Sequence, residues 1–94
     1  MPIYRPAKHT ILNEQNVIAL ILFLDERDSA NARELVQVSG NYVKIKFLAE
    51  QLKNLGIVNI EVEEKPRTVF SYSLTDKGKK LAGKLHEAME ITGE

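Results

Sequence analysis

The hydrophobic residues change period at Gly56, and that change restricts the fold more than any other feature of the chain. Before it, Ile45, Leu48, Ala49, Leu52 and Leu55 recur at the i, i+3, i+4, i+7 spacing of one helix face. After it, Ile60 and Val62 alternate with Glu61 and Glu63, and Phe70, Tyr72 and Leu74 alternate with Ser71 and Ser73. Period two belongs to half-buried strands. Two such runs joined by Lys65-Pro66-Arg67-Thr68 predict a hairpin over residues 57–74, buried on one face. Gly56 stands where a helix ends in a left-handed residue, and Ile57 is placed to fold back on the last turn.

Capping signals place four helices around this hairpin. Asn13, with Glu14 in the first turn, predicts the start of a first helix over 13–27. Asn31 and Glu34 have the spacing of a capping-box variant and open a second helix at Ala32, within 31–39. A third covers 41–55. Thr75, followed by Asp76, caps the last over 75–91. Residues 1–12, with Pro2 and Pro6, read as an extended arm. The predicted architecture is one domain over 1–94, mainly α with a β-hairpin wing, in the α+β class. Its order is helix-helix-helix-strand-strand-helix. A very short turn at Gly40 joins the second and third helices, the helix-turn-helix arrangement with a wing behind it.

Ninety-four residues suffice for one domain and not two. The chain has no cysteine, which removes disulfides, thiolate nucleophiles and cysteine metal sites. His9 and His86 do not make a zinc set. Asp25, Glu26 and Asp28 read as a solvated helix end, and Glu61, Glu63 and Glu64 lack a partner suited to acid–base chemistry. Gly78 and Gly83 lie inside a helix and form no phosphate loop. We therefore expect no enzyme, no metal and no cofactor. The longest apolar run, Val17 to Leu24, is short of the roughly 20 residues that span a bilayer. The first residues lack the apolar core of a signal peptide. The expected location is the cytoplasm. The cysteine-free, Ile/Leu/Val/Lys/Glu-rich composition points toward a thermophile or archaeon.

Thirteen basic and thirteen acidic residues give zero net charge, whereas nucleic-acid binders usually carry a basic excess. The charges are nevertheless segregated. Residues 14–28 carry a net −3, residues 41–56 a net +2 and residues 65–84 a net +5, so a basic patch on one face is compatible with the neutral total.

The run "ARELVQVSG", the exit "LKNLGIV" and the stretch "YSLTDKG", in this order, resemble winged helix-turn-helix transcription regulators of the MarR/ArsR-like and related archaeal types. The resemblance covers roughly residues 14–90. It implies double-stranded DNA as the partner, with the third helix in the major groove and the wing on the flanking backbone. The positions it implies as DNA contacts are Asn41, Tyr42, Lys44 and Lys46 on the third helix and Lys65, Arg67 and Thr68 at the wing tip. Their plain alternative is a solvated helix face and a polar hairpin tip. Where such regulators often place Ser, Thr and Arg, this helix has Tyr42, Val43, Lys44, Lys46 and Phe47. A second function class follows from that surface, a protein-interaction module docking through Tyr42, Val43 and Phe47. The apolar first helix and the stripe on the last helix predict a homodimer through Ile18, Leu22, Leu81, Leu85 and Met89. Simple packing of the two helices on each other is the alternative. A small-molecule effector at that interface is possible in such a protein, and no residue names it.

Overall fold

The computed structural model describes residues 10–64 and 66–93. Most of the predicted N-terminal arm, residues 1–9, lies outside the described residues, as does Lys65.

Thr10 caps a single 3-10 turn, Ile11–Asn13, its hydroxyl accepting the Leu12 amide at 3.2 Å. Helix α1 then runs Val17–Asp25, starting four residues later than Asn13 suggests. The reason is local. The Asn13 and Glu14 amides donate back to the Thr10 and Ile11 carbonyls and close a turn of their own. Asn16 redirects the chain into α1 from the left-handed region, φ 71°, a conformation asparagine tolerates better than most residues.

A two-residue strand β1, Ala30–Asn31, precedes α2, Ala32–Ser39. The capping box at this start is complete. Asn31 Oδ1 accepts the Glu34 amide at 2.8 Å, and the Asn31 amide donates to Glu34 Oε1 at 3.1 Å. Gly40, at φ 73°, ends α2, and α3 follows as Tyr42–Asn54. At its far end the Gly56 amide donates to the Lys53 carbonyl and the Ile57 amide to the Leu52 carbonyl, both at 2.9 Å. These are the two bonds of a Schellman motif, with Gly56 at φ 79° supplying the left-handed residue. Strands β2, Val58–Glu63, and β3, Val69–Leu74, form the wing, and α4 occupies Asp76–Thr92.

The sheet is three-stranded and antiparallel in the order β1-β3-β2. Val58 pairs with Leu74, Ile60 with Tyr72 and Val62 with Phe70, while Ala30 joins Tyr72 from the other edge. The pairing of β1 was not anticipated, because two residues are too few to display alternation. The core lies where α1, α2, α3 and the base of the sheet meet. It holds Val17, Leu20, Ile21 and Leu24 from α1, Leu35 from α2, and Ile45, Leu48, Ala49 and Leu52 from α3. Tyr72 and Ala82 close it from β3 and α4. Each large side chain buried here contributes about 1.5–3 kcal/mol of transfer free energy. Toward the tip the wing leaves the core, so Ile60 is half-buried and Val62 exposed.

The start of α4 is tied to the end of α3. Thr75 Oγ1 accepts the Gly78 amide at 3.0 Å as the N-cap and donates to the Gly56 carbonyl at 2.6 Å. Lys77 Nζ donates to the Leu55 carbonyl at 2.7 Å. At Gly78 a Cβ would overlap the Ile57 carbonyl oxygen, so the helix approaches that strand entry closely only because this residue has no side chain. The stretches "LKNLGIV" and "YSLTDKG" are therefore the two halves of one corner.

Candidate nucleic-acid interface

The N-terminal end of α3 is built differently from those of α2 and α4. Asn41 Oδ1 accepts the Lys44 amide at 3.1 Å, so this predicted contact residue has its side-chain oxygen engaged as the helix cap. Ser39 Oγ in turn accepts the Asn41 amide at 3.1 Å. Glu34 and Asp76 place an acid in the first turns of α2 and α4, but α3 has none and carries Lys44 there. A cation at the positive end of the helix dipole opposes the usual preference. It leaves that end favourable to an anion.

Tyr42 opens onto a cleft of about 390 Å³ between α3, the start of α2 and the wing. Arg67 and Thr68 line it from the wing, and Arg33 lines it from α2. Three of the predicted positions, Tyr42, Arg67 and Thr68, thus meet around one space. Lys46 turns toward the wing, its Nζ 5.1 Å from the centroid of the Phe70 ring, a cation–π contact. Lys44 is exposed and does not line the cleft. Lys65 lies outside the described residues.

Arg33 was missed by the sequence reading. The signal was available, because a basic residue in the first turn of a helix stands against the dipole and needs another reason to be there. Among the described residues Arg33 and Arg67 make no ion pair, whereas Arg27 is held by Glu34 at 2.7 Å and lies 4.4 Å over the Phe23 ring. Glu61 and Glu63 alternate with Ile60 and Val62 and so take the opposite side of β2 from the side that runs into the core.

Beneath α3 the Tyr72 phenol is held above its ordinary pKa, first by burial and then by the nearby Tyr42 and Glu50. Its neutral form is thus favoured by folding. That contribution to stability is present below pH about 10 and is lost as pH rises beyond it. On the outward side of α3, Val43 is 75% exposed and Phe47 59% exposed. Residues four apart are neighbours on one helix face.

Ile18, Leu22, Leu85 and Met89 line an open apolar groove of about 430 Å³ between α1 and α4. Leu81, the fifth residue predicted for a dimer contact, does not line it and packs against the core. Asp25 Oδ2 and His86 Nε2, 3.1 Å apart, tie the end of α1 to α4. Among the described residues no three His, Asp or Glu side chains gather as a metal site, and no helix is long and apolar enough to cross a membrane.

No family model matches the chain, and no curated protein matches it in sequence. Solved structures do match. A transcriptional regulator homologue from Pyrococcus horikoshii OT3 superposes with a TM-score of 0.72 at 16% identity, over 87% of this chain and 88% of that one. A protein from Archaeoglobus fulgidus gives 0.73 at 16% identity, over 89% and 94%. A candidate transcriptional regulator of the MarR family from Porphyromonas gingivalis W83 gives 0.65 at 19% identity, over 89% and 83%. At these identities the likeness is one of fold. The chain has the winged helix-turn-helix fold, with the helix-helix-helix-strand-strand-helix order read from its sequence and the short β1 added before α2.

Proposed function

We propose that this chain is a transcriptional regulator of the cytoplasm, not an enzyme, that binds double-stranded DNA as a homodimer. In this reading α3 enters the major groove through its N-terminal half, and the wing lies on the flanking backbone. One observation carries it. The acid-free start of α3 faces a cleft whose other walls bring Arg33 and Arg67 without carboxylate partners among the described residues. Cations left unneutralised around a groove-sized gap suit phosphates on both sides of an inserted helix. Lys44 and Lys46 extend that surface along α3. The groove lined by Ile18, Leu22, Leu85 and Met89 supports the homodimer, since an apolar face of this kind is rarely left in water. Two copies of α3 one DNA turn apart then read a two-fold site.

The test is fluorescence anisotropy on mixed-sequence duplexes at several salt concentrations, with sedimentation velocity for the dimer. Each neutralised phosphate adds about 0.9 to the log–log salt slope, so a slope of several is expected. Lys44→Glu combined with Lys46→Glu is expected to lower affinity by at least about tenfold, each reversal removing one phosphate partner and adding a repulsion. A double variant that folds and binds as tightly as the parent refutes this placement of α3.

A second reading has its own observation. Val43 and Phe47 stand exposed on α3 while the chain has no net charge. They suit a winged helix that docks on a protein. Recovery of one stoichiometric protein partner, with no DNA binding even at low salt, decides for it.

A further inference from the structure

The outward residues of α3 also indicate what kind of base recognition is open to it, given the placement of this helix in the major groove. A base pair there is distinguished by hydrogen bonds to its edge or by apolar contact with the thymine C5 methyl. Residues 42–50 contain no Arg, Asn, Gln, Ser or Thr, so nothing on these turns makes the bidentate pairing with adenine, and Lys44 and Lys46 are the donors left for guanine. The Asn41 side-chain oxygen caps the helix. Tyr42 faces the cleft toward the wing, and Lys46 lies over Phe70. Val43 and Phe47 remain as the large exposed surface, with Lys44 beside them.

We propose that α3 selects its DNA by apolar contact, with Val43 and Phe47 seated against thymine methyl groups on neighbouring base pairs. The separation suits this, because side chains one helical turn apart lie about 5–6 Å from each other. Successive base pairs are stacked about 3.4 Å apart, so the two side chains meet positions one or two steps apart. Charge decides the occupant in favour of DNA. Lys44 and Lys46 share α3 with the apolar pair, Arg33 and Arg67 line the cleft that Tyr42 opens onto, and none of the four has a carboxylate partner among the described residues. Glu50 lies beyond Phe47, one turn farther from the helix start. An apolar pair on a helix whose lysines have no carboxylate partner among the described residues suits a groove floor carrying methyl groups between two phosphate rows.

Deoxyuridine tests this directly. It keeps the pairing edge and the charge of thymidine and lacks the C5 methyl alone. The probe is the tightest-binding duplex recovered from a random-sequence pool, together with the same duplex synthesised with deoxyuridine in place of every thymidine. One buried methyl corresponds to about a fourfold change in affinity, so two contacts give roughly tenfold or more. Val43→Ala and Phe47→Ala, at exposed positions, are each expected to bring the thymidine-to-deoxyuridine affinity ratio closer to one while leaving the salt slope unchanged. Equal affinity for the two duplexes overturns the proposal and leaves DNA binding standing. So does a ratio that neither substitution moves, since the methyls then act through DNA shape. Absence of binding to either duplex at low salt overturns the DNA-binding reading itself, and this proposal with it.

Discussion

The two ends of α3 are built on opposite principles. At the C-terminal end, Gly56 and Ile57 satisfy the last carbonyls, Lys77 reaches the Leu55 carbonyl, and Thr75 stitches α4 onto the same turn. Charge there follows the dipole, with Lys53 in the last turn and Lys77 alongside. At the N-terminal end a cation stands where an acid is favoured, and Tyr42, Val43 and Phe47 stay exposed. At one end caps and charge both agree with the fold, and at the other a cation opposes the dipole beside two exposed apolar side chains. Conflicts of that kind collect at surfaces kept for a partner.

The largest expected effect is at the closed end. Gly78→Ala places a methyl against the Ile57 carbonyl, which is backbone and cannot turn aside. A loss of about 3 kcal/mol is expected, at the upper end of ordinary overpacking. Gly83 sits in the same helix with nothing near its missing side chain. Gly83→Ala should therefore gain about 0.5–1 kcal/mol from helix propensity. Urea unfolding of both variants separates the readings. Equal shifts for the two would mean that Gly78 is merely a poor helix former and that the corner is not tightly closed.

Next is Thr75, whose hydroxyl accepts from Gly78 and donates to Gly56. Thr75→Ala removes the cap and leaves the Gly56 carbonyl without this donor, for a cost of about 1–2 kcal/mol. That corresponds to a fall in Tm of at least about 4 °C for a chain of this length, while Thr75→Ser should recover most of it. A Thr75→Ala protein melting with the parent would show that Lys77 and the Schellman bonds hold the corner unaided.

The same contrast explains what was legible in the sequence. The capping box at Asn31, the left-handed Gly56 and the cap at Thr75 are written within a few residues of where they act. So is the alternation of the wing, although alternation tells which side of a strand faces inward and not how far the core extends. Hence Val62, on the inner side, is exposed at the tip. The late start of α1 was hidden because the Thr10 turn competes for the same amides as Asn13. Strand β1 and the role of Arg33 were hidden because both depend on what the chain meets much later in the sequence, Tyr72 and Ser71 for the strand and Arg67 for the cleft. Two of the three motifs that carried the family resemblance, "LKNLGIV" and "YSLTDKG", belong to the closed corner and identify a fold without describing the open end. The third, "ARELVQVSG", brings Arg33 to the cleft at the open end, where the contacts with a partner are expected.

The smallest effect sharpens the comparison most, because its sign differs between stability and binding. Lys44 occupies the third position of α3, where a carboxylate gains from the helix dipole. Lys44→Glu alone should therefore raise stability by about 0.3–1 kcal/mol at low ionic strength, with the gain shrinking as salt is added. The same change should weaken DNA binding. A residue retained against the stability of its own helix is explained by a negatively charged partner. If Lys44→Glu lowers stability, some contact of the lysine within the folded chain outweighs the dipole, and its place in α3 needs no partner to account for it. Urea midpoints at two salt concentrations, set beside anisotropy on the same variant, distinguish these outcomes.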